Sequence, residues 1–270
     1  MDSDTNHIIV ASSLEGIGKG ELAGYIPHVY CHEGWCTFKY HGDNFRLEAG
    51  DSMIIPRRND LVTDIVESDD LRMDVIYVSH EFIMASTPQS NYGTKGHLSL
   101  FGNPVMRLTP EQQKVCALDF DFIKRRMAFK EHLFHREAMR NAVECMIIDF
   151  FDFHASQHGA DKISTQYQQL MENFIQLLEH GDFRKNRDIG YYADRLCVTT
   201  KYLSEVSKNV SGQSANYWIT RYATLDIARL LSDRRLSFTD ISDMYGFSSL
   251  SYFIRYVQKN LGAPPSAFRE

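Results

Sequence analysis

Ala193-Asp194-Arg195-Leu196-Cys197-Val198-Thr199-Thr200 leads into Lys201-Tyr202-Leu203-Ser204-Glu205-Val206 and reaches Ser211-Gly212. Further on, Ser242-Asp243-Met244-Tyr245-Gly246-Phe247-Ser248-Ser249 leads into Leu250-Ser251-Tyr252-Phe253-Ile254-Arg255-Tyr256 and reaches Leu261-Gly262. Both stretches follow one plan: a short helix, a tight turn, a longer helix and a glycine stop. Leu203, Val206 and Gly212 recur as Phe253, Tyr256 and Gly262, with one residue more in the second turn. A short helix bracing a longer one is the helix-turn-helix plan. A single pair of this kind occurs in many helical bundles. Two pairs of the same design, joined by one striped helix, point to a double helix-turn-helix.

Outward from this repeat, residues 164–270 read as helical throughout. A helix from Ser164 to His180 stops at Gly181, a usual place for a helix-ending glycine. Asp188 is placed to cap a short helix through Leu196, and Thr199 to cap the next. Ser214 opens a long helix with Trp218, Tyr222, Leu225, Ala228 and Leu231 on one side. Ser237-Phe238-Thr239-Asp240 has capping-box spacing, with Asp in place of the commoner Glu or Gln. The helix-turn-helix units therefore span 188–212 and 237–262, and the bridging helix 214–231.

The chain before residue 106 has a different texture. Thr37-Phe38-Lys39-Tyr40, Ser52-Met53-Ile54-Ile55 and Met73-Asp74-Val75-Ile76-Tyr77-Val78 are separated by turn signals such as His41-Gly42-Asp43-Asn44. Many short strands with polar turns indicate a barrel or jelly roll over 1–105. Residues 106–158 return to helical spacing. Thr109-Pro110-Glu111 starts one helix, whose Val115, Leu118, Phe122 and Ile123 form an apolar face. Met139, Ala142, Val143, Met146, Ile147, Phe150 and Phe153 stripe a second. That stripe packs either on the chain's own barrel or on a second copy, which would make 136–158 a dimerisation segment. Small polar residues from Ala155 to Asp161 place a linker at 159–163. The expected fold is two-domain α+β: a β-barrel with trailing helices, then an all-α double helix-turn-helix domain.

At 270 residues and 43% hydrophobic content, the chain is long enough for two ordinary domains and is not disordered by composition. No run approaches the ~20 apolar residues that cross a bilayer, so no membrane partner is expected. Met1-Asp2-Ser3-Asp4 lacks the basic start of a secretory signal. Five cysteines, at 31, 36, 116, 145 and 197, do not suit a disulfide framework. A reducing, cytoplasmic setting is expected. The net charge of −6 is uneven: 162–270 carries 14 Lys+Arg against 11 Asp+Glu, and 1–161 carries 15 against 24. A mildly basic module attached to an acidic one is consistent with a polyanionic partner.

Residues 190–269 closely resemble the DNA-binding domain of AraC/XylS-type bacterial transcription regulators. The resemblance lies in Tyr202-Leu203-Ser204, Gly212-Gln213-Ser214, Ala228-Arg229-Leu230-Leu231, Ile241-Ser242 and Gly246-Phe247-Ser248-Ser249-Leu250-Ser251-Tyr252-Phe253-Ile254-Arg255. It closes on Gly262-Ala263-Pro264-Pro265-Ser266-Ala267-Phe268-Arg269, similar to the family's Gly-x-Thr-Pro-x-x-Tyr-Arg ending. It implies that both longer helices insert into successive major-groove segments of double-stranded DNA. Carried over, the first reader offers Lys201, Ser204, Glu205 and Lys208, and the second Ser249, Leu250, Ser251, Tyr252 and Arg255. Lys201 and Arg255 can donate to guanine O6 and N7, Glu205 can accept from a cytosine amino group, and Leu250 can meet a thymine methyl. Glu205 also reads as a solvated carboxylate and Leu250 as an exposed helix-start leucine; Tyr202 and Tyr252 also read as core anchors. Many relatives carry Arg at the position of Glu205, so no base preference is inherited there. Thr199, Thr200 and Ser248 suit capping and phosphate contact.

The N-terminal segment resembles, more weakly, the cupin-like sensor barrel these regulators place first, through Gly50-Asp51-Ser52-Met53-Ile54-Ile55-Pro56-Arg57-Arg58-Asn59. Asn59 stands where metal-dependent cupin enzymes keep a histidine. His28, His32 and Glu33 lack the His-x-His spacing, and Cys31 and Cys36 have no second pair to complete a zinc site. Neither a metal nor another cofactor is expected. Tyr25, His28, Tyr30, Trp35 and Arg57 are the candidate effector contacts in a barrel able to enclose a small molecule. Gly16-Ile17-Gly18-Lys19-Gly20 lacks the spacing of a phosphate-binding loop. The leading expectation is a non-enzymatic, homodimeric, effector-controlled regulator that engages RNA polymerase, as an activator or a repressor. The alternatives are a cupin-type enzyme fused to a DNA-binding module, and a regulator governed by a protein partner.

Overall fold

Strand alternation and helix caps divide this chain as its sequence divides. The computed structural model describes residues 7–17, 20–22, 24–56, 62–86, 93–158 and 164–269. The chain forms two compact units, 1–162 and 163–270. In the first, the strands are β1 (Ile8–Ala11), β2 (Tyr25–Glu33), β3 (Trp35–Tyr40), β4 (Asp43–Glu48), β5 (Asp51–Ile54), β6 (Val62–Glu67), β7 (Arg72–Ser79) and β8 (Val105–Arg107). They make two antiparallel sheets, ordered β1-β7-β2-β5-β8 and β4-β3-β6. On β2, Val29 pairs with Val75 of β7 on one side and Met53 of β5 on the other.

Because successive side chains on a strand point to opposite faces, β2 feeds two cores. Val29 and Cys31 join Cys36, Phe38, Tyr40, Leu47, Met53 and Tyr77 in one cluster. Ile26 and Tyr30 join Ile54, Ile76 and Val78 in a second, together with the helices α3 (Pro110–Ala128) and α4 (His135–His158). Two shorter helices, α1 (His80–Ser86) and α2 (Gly93–Gly102), precede β8. Thr109 caps α3 in a full capping box with Gln112. Gly50, at φ +87°, turns the chain between β4 and β5; a Cβ there would collide with the Gln113 side chain of α3.

Three sequence expectations about these helices need correction. The residues α3 buries are Cys116, Phe120 and Ile123, whereas Val115, Leu118 and Phe122 are 39%, 67% and 43% exposed. The helix is held on one side by Lys124 Nζ donating to Asp74 of β7 (2.6 Å). On the other, Gln112 Nε2 donates to Ser156 of α4 (3.0 Å). The expected apolar face therefore looks outward, apart from Ile123. The α4 stripe from Met139 to Phe153 is buried wholly within this unit, so it is core and cannot itself be the face a second copy meets. α4 also continues through His158, so Ala155–His158 are helical rather than linker. The expected linker, 159–163, lies outside the described residues.

The second unit holds α5 (Thr165–His180), α6 (Ile189–Arg195), α7 (Thr200–Ser211), α8 (Ala215–Leu231), α9 (Phe238–Met244) and α10 (Leu250–Leu261). The side chains of Ser164, Asp188, Thr199, Ser214, Ser237 and Ser249 each accept the capping amide bond at a helix start. Such caps contribute about 1 kcal/mol each. α8 is the central rod, burying Trp218, Ile219, Tyr222, Ala223, Ile227 and Leu231. Among the described residues no helix is long and apolar enough to cross a membrane.

Candidate nucleic-acid interface

The two helix-turn-helix units are built alike down to their hydrogen bonds. After α6, Leu196 N–H donates to Tyr192 O (3.0 Å), Cys197 N–H to Asp194 O (3.1 Å) and Val198 N–H to Ala193 O (2.9 Å). After α9, Tyr245 N–H donates to Ile241 O (3.2 Å), Gly246 N–H to Asp243 O (3.0 Å) and Phe247 N–H to Ser242 O (3.1 Å). Thr199 Oγ1 accepts from Tyr202 N–H (3.1 Å) and Ser249 Oγ from Tyr252 N–H (3.2 Å). Both long helices end on a left-handed glycine, Gly212 and Gly262. Leu203, Val206 and Val210 anchor α7, and Phe253 and Val257 anchor α10, all at most 2% exposed.

Polar contacts fix these units to α8. Trp218 Nε1 donates to Ser211 Oγ at the end of α7 (2.7 Å). Asp226 accepts from Tyr245 OH (2.7 Å), Arg184 Nε (2.7 Å) and Arg229. Burial opposes the Asp226 charge, but the hydrogen bonds from Arg184, Arg229 and Tyr245 outweigh it and hold the carboxyl below the usual range. The Arg187 guanidinium lies 4.3 Å over the Phe247 ring and donates to Tyr245 O (2.7 Å), bracing the second turn.

The outward side of α7 lines an open groove of about 530 Å³ with Thr200, Lys201, Ser204, Glu205 and Lys208. Five expected contact residues therefore share one surface. Ile189, the first residue of α6, and Asn216, near the start of α8, complete the groove. Spacing within a recognition helix could not have pointed to these two, since they come from its flanking elements. Thr199 is the cap. Tyr202 is half-buried, its ring edge-on to Tyr167 of α5 (5.9 Å). On α10, Ser249, Leu250, Ser251, Tyr252 and Arg255 are all exposed, as is Ser248 just before it. Tyr252 has only Phe247 beside it (5.7 Å), among the ring contacts described, and is 49% exposed.

The expected effector contacts do not gather at one place. His28 and Tyr30 face the helices, His28 edge-on to Phe150 (5.6 Å) and Tyr30 near Phe120 (6.1 Å). Burial lowers the His28 pKa to about 4, so the ring is neutral at pH 7. Tyr25 packs with the other core, and Trp35 is half-buried beneath the Arg46 guanidinium at 4.2 Å. Strand alternation separates what sequence proximity suggested. Arg57 and Asn59 lie outside the described residues. His32 Nε2 is bound to Asp74 (2.7 Å), and among the described residues no group of three or more His, Cys, Asp or Glu is placed to hold a metal ion.

Twin capped reading helices fixed to one rod define a double helix-turn-helix DNA-binding protein. A family model described as "Helix-turn-helix domain" matches residues 192–270. The chain is 32% identical over 106 residues to the probable transcription factor PqrA of Proteus vulgaris, covering 37% of this chain and 87% of that protein. It is 27% identical over 106 residues to the uncharacterized HTH-type transcriptional regulator YobQ of Bacillus subtilis (strain 168), covering 39% of this chain and 42% of that one. Among solved structures it is similar to unsaturated fatty acid bound ToxT of Vibrio cholerae strain SCE256, at 11% identity and TM-score 0.47 over 99% of this chain and 96% of that one. The chain belongs to the AraC/XylS-type family of transcription regulators.

Proposed function

We propose that α7 and α10 read successive major-groove segments of one duplex, and that the β-rich unit couples this reading to a small molecule. The observation that carries the reading is the repeated geometry: each helix is anchored on one side and presents its expected contact residues on the other. α8, with 17 residues at ~1.5 Å each, is about 26 Å long. With the width of the readers added, that suits two contacts one helical turn of DNA apart, about 34 Å. Lys201 and Arg255 donate to guanine, Glu205 accepts from cytosine, and Thr199, Thr200 and Ser248 hold phosphates. Arg255→Ala is expected to cost about 1–3 kcal/mol and to relax discrimination at one base pair, read by binding to a panel of single-base variants. Uniform weakening across the panel would make Arg255 a phosphate contact instead.

Control by an effector follows as a coupling free energy between two arrangements of the sensor. The first core is filled by buried side chains. A cleft of about 240 Å³ beside it, lined by Leu14, Ile17, Val62 and Ile65 with Glu15 and Asp64 among its polar groups, admits a small ligand. Pockets for larger ligands run to roughly 300–1,000 Å³. A second copy of the chain is the proposed occupant of the outward α3–α4 surface, where Val115, Leu118, Phe122 and Ile148 are exposed with Phe129, Leu133 and Phe134 of the connecting turn. Engagement of RNA polymerase and a cytoplasmic location follow from this reading.

A further inference from the structure

The caps align the two readers with an offset of fifty residues: Thr199 with Ser249, and Gly212 with Gly262. Under that alignment the groove-lining residues of α7 acquire counterparts. Thr200 and Ser204 correspond to Leu250 and Ile254, Glu205 to Arg255, and Lys208 to Gln258. The first reader thus presents hydroxyls and three charges, whereas the second presents an apolar pair one helical turn apart, followed by one arginine. Leu250 is 38% exposed and Ile254 half-buried. One exposed leucine needs no explanation on a protein surface. Two apolar residues at i and i+4, where the sister helix carries Thr and Ser, form a strip along the face that meets the groove. Among base edges in the major groove, the thymine C5-methyl is the apolar feature.

We infer that the two readers select different base chemistry: α10 takes a segment in which a thymine methyl lies against Leu250 and Ile254, close to a guanine bound by Arg255, whereas α7 takes a segment read without a methyl contact. The inference rests on the DNA reading proposed above and adds Ile254 as a specificity-determining residue. Leu250 and Arg255 are five residues apart, about 7.5 Å along the helix. The thymine and guanine are therefore expected within about two base pairs of each other, and the operator is not a direct repeat.

The test uses the full chain and a random duplex pool. Duplexes are selected by binding, and each thymine in the enriched site is then replaced singly by deoxyuridine, which removes the methyl and leaves base pairing intact. One thymine, and only in the segment under the second reader, is expected to lose about fourfold in affinity, the worth of one buried methyl. Leu250→Thr, which installs the first reader's residue at an exposed position, is expected to cut the fourfold preference for thymine over uracil to about twofold, the remainder coming from Ile254. Ile254→Ser is expected to halve the discrimination or better. Uracil tolerated at every position, or Leu250→Thr retaining the full thymine preference, overturns the inference while the DNA reading stands. A pool from which no duplex is enriched overturns the DNA reading itself.

Discussion

Cys197 holds a left-handed backbone at φ +55°, and its counterpart in the second turn, Gly246, holds the same shape at φ +59°. The hydrogen bonds around the two are matched, so turn geometry demands this conformation whichever side chain is present. For an L-residue it costs roughly 1–2 kcal/mol, partly offset by the smaller backbone entropy cysteine loses on folding compared with glycine. Cys197→Gly is therefore expected to stabilise the second unit by about 0.5–1 kcal/mol, read as a few degrees' rise in its thermal midpoint with DNA affinity retained. A fall in the midpoint would mean that the Cys197 side chain contributes more than the strain it imposes. The same comparison separates the two tyrosines. Tyr202 has the Tyr167 ring of α5 beside it, so it belongs to the packing, whereas Tyr252 remains half exposed on the reading helix.

Between α3 and α4, Asp119 and Asp149 form a carboxyl pair in which one proton is shared. Burial first, and then the Asp149 charge, raise the Asp119 pKa from 3.8 to about 7; burial raises Asp149 as well. The folded state holds this proton more tightly than the unfolded chain. The pair's stabilisation is therefore complete below about pH 4 and is lost as pH rises through about 7. Burial of neutral His28 acts in the opposite sense below about pH 6.5, so the first unit should lose thermal stability mainly between about pH 6 and 7.5, and Asp119→Asn should flatten that slope. An unchanged slope in the variant would place the titration elsewhere. Sequence signals for these elements were unequal. Thr109, Ser164, Asp188, Thr199, Ser214 and Ser237 announce helix starts because capping is a local hydrogen bond between residues two or three apart; before the last helix the sequence suggested Ser248, whereas Ser249 is the cap. The face that α3 buries was not legible, since Val115, Leu118 and Phe122 are as apolar as Cys116, Phe120 and Ile123. Only the positions of Asp74 and α4 decide between them, and those are tertiary. The expected effector contacts on β2 are dispersed for a related reason: the strand deals alternate residues to different cores.

At the scale of the whole molecule, the outward face of α3 poses a problem that the single chain does not solve. Leu118 is 67% exposed, Leu133 87%, Phe134 59% and Phe129 54%, with Phe122 and Ile148 close behind. These are large apolar side chains left to solvent on α3, the turn after it and α4, the kind of surface that marks an interaction site when it is contiguous. A stable interface takes about 800 Å² from each partner, and an isologous contact would let the same patch meet itself across a two-fold axis. Charges along α3 favour this arrangement when the two helices run antiparallel about Leu118, because Glu111 near one end then meets Arg125 of the second copy near the other. Leu118→Glu places two carboxylates against each other at that axis. It is expected to shift the chain from dimer to monomer in sedimentation equilibrium, with the thermal midpoint falling no further than that of the wild-type chain diluted to monomer, because Leu118 lies outside the core. Affinity for a single double-segment site should persist, since α7 and α10 of one chain read it, while cooperative binding to two such sites should disappear. A variant that stays dimeric would show that the second copy docks elsewhere.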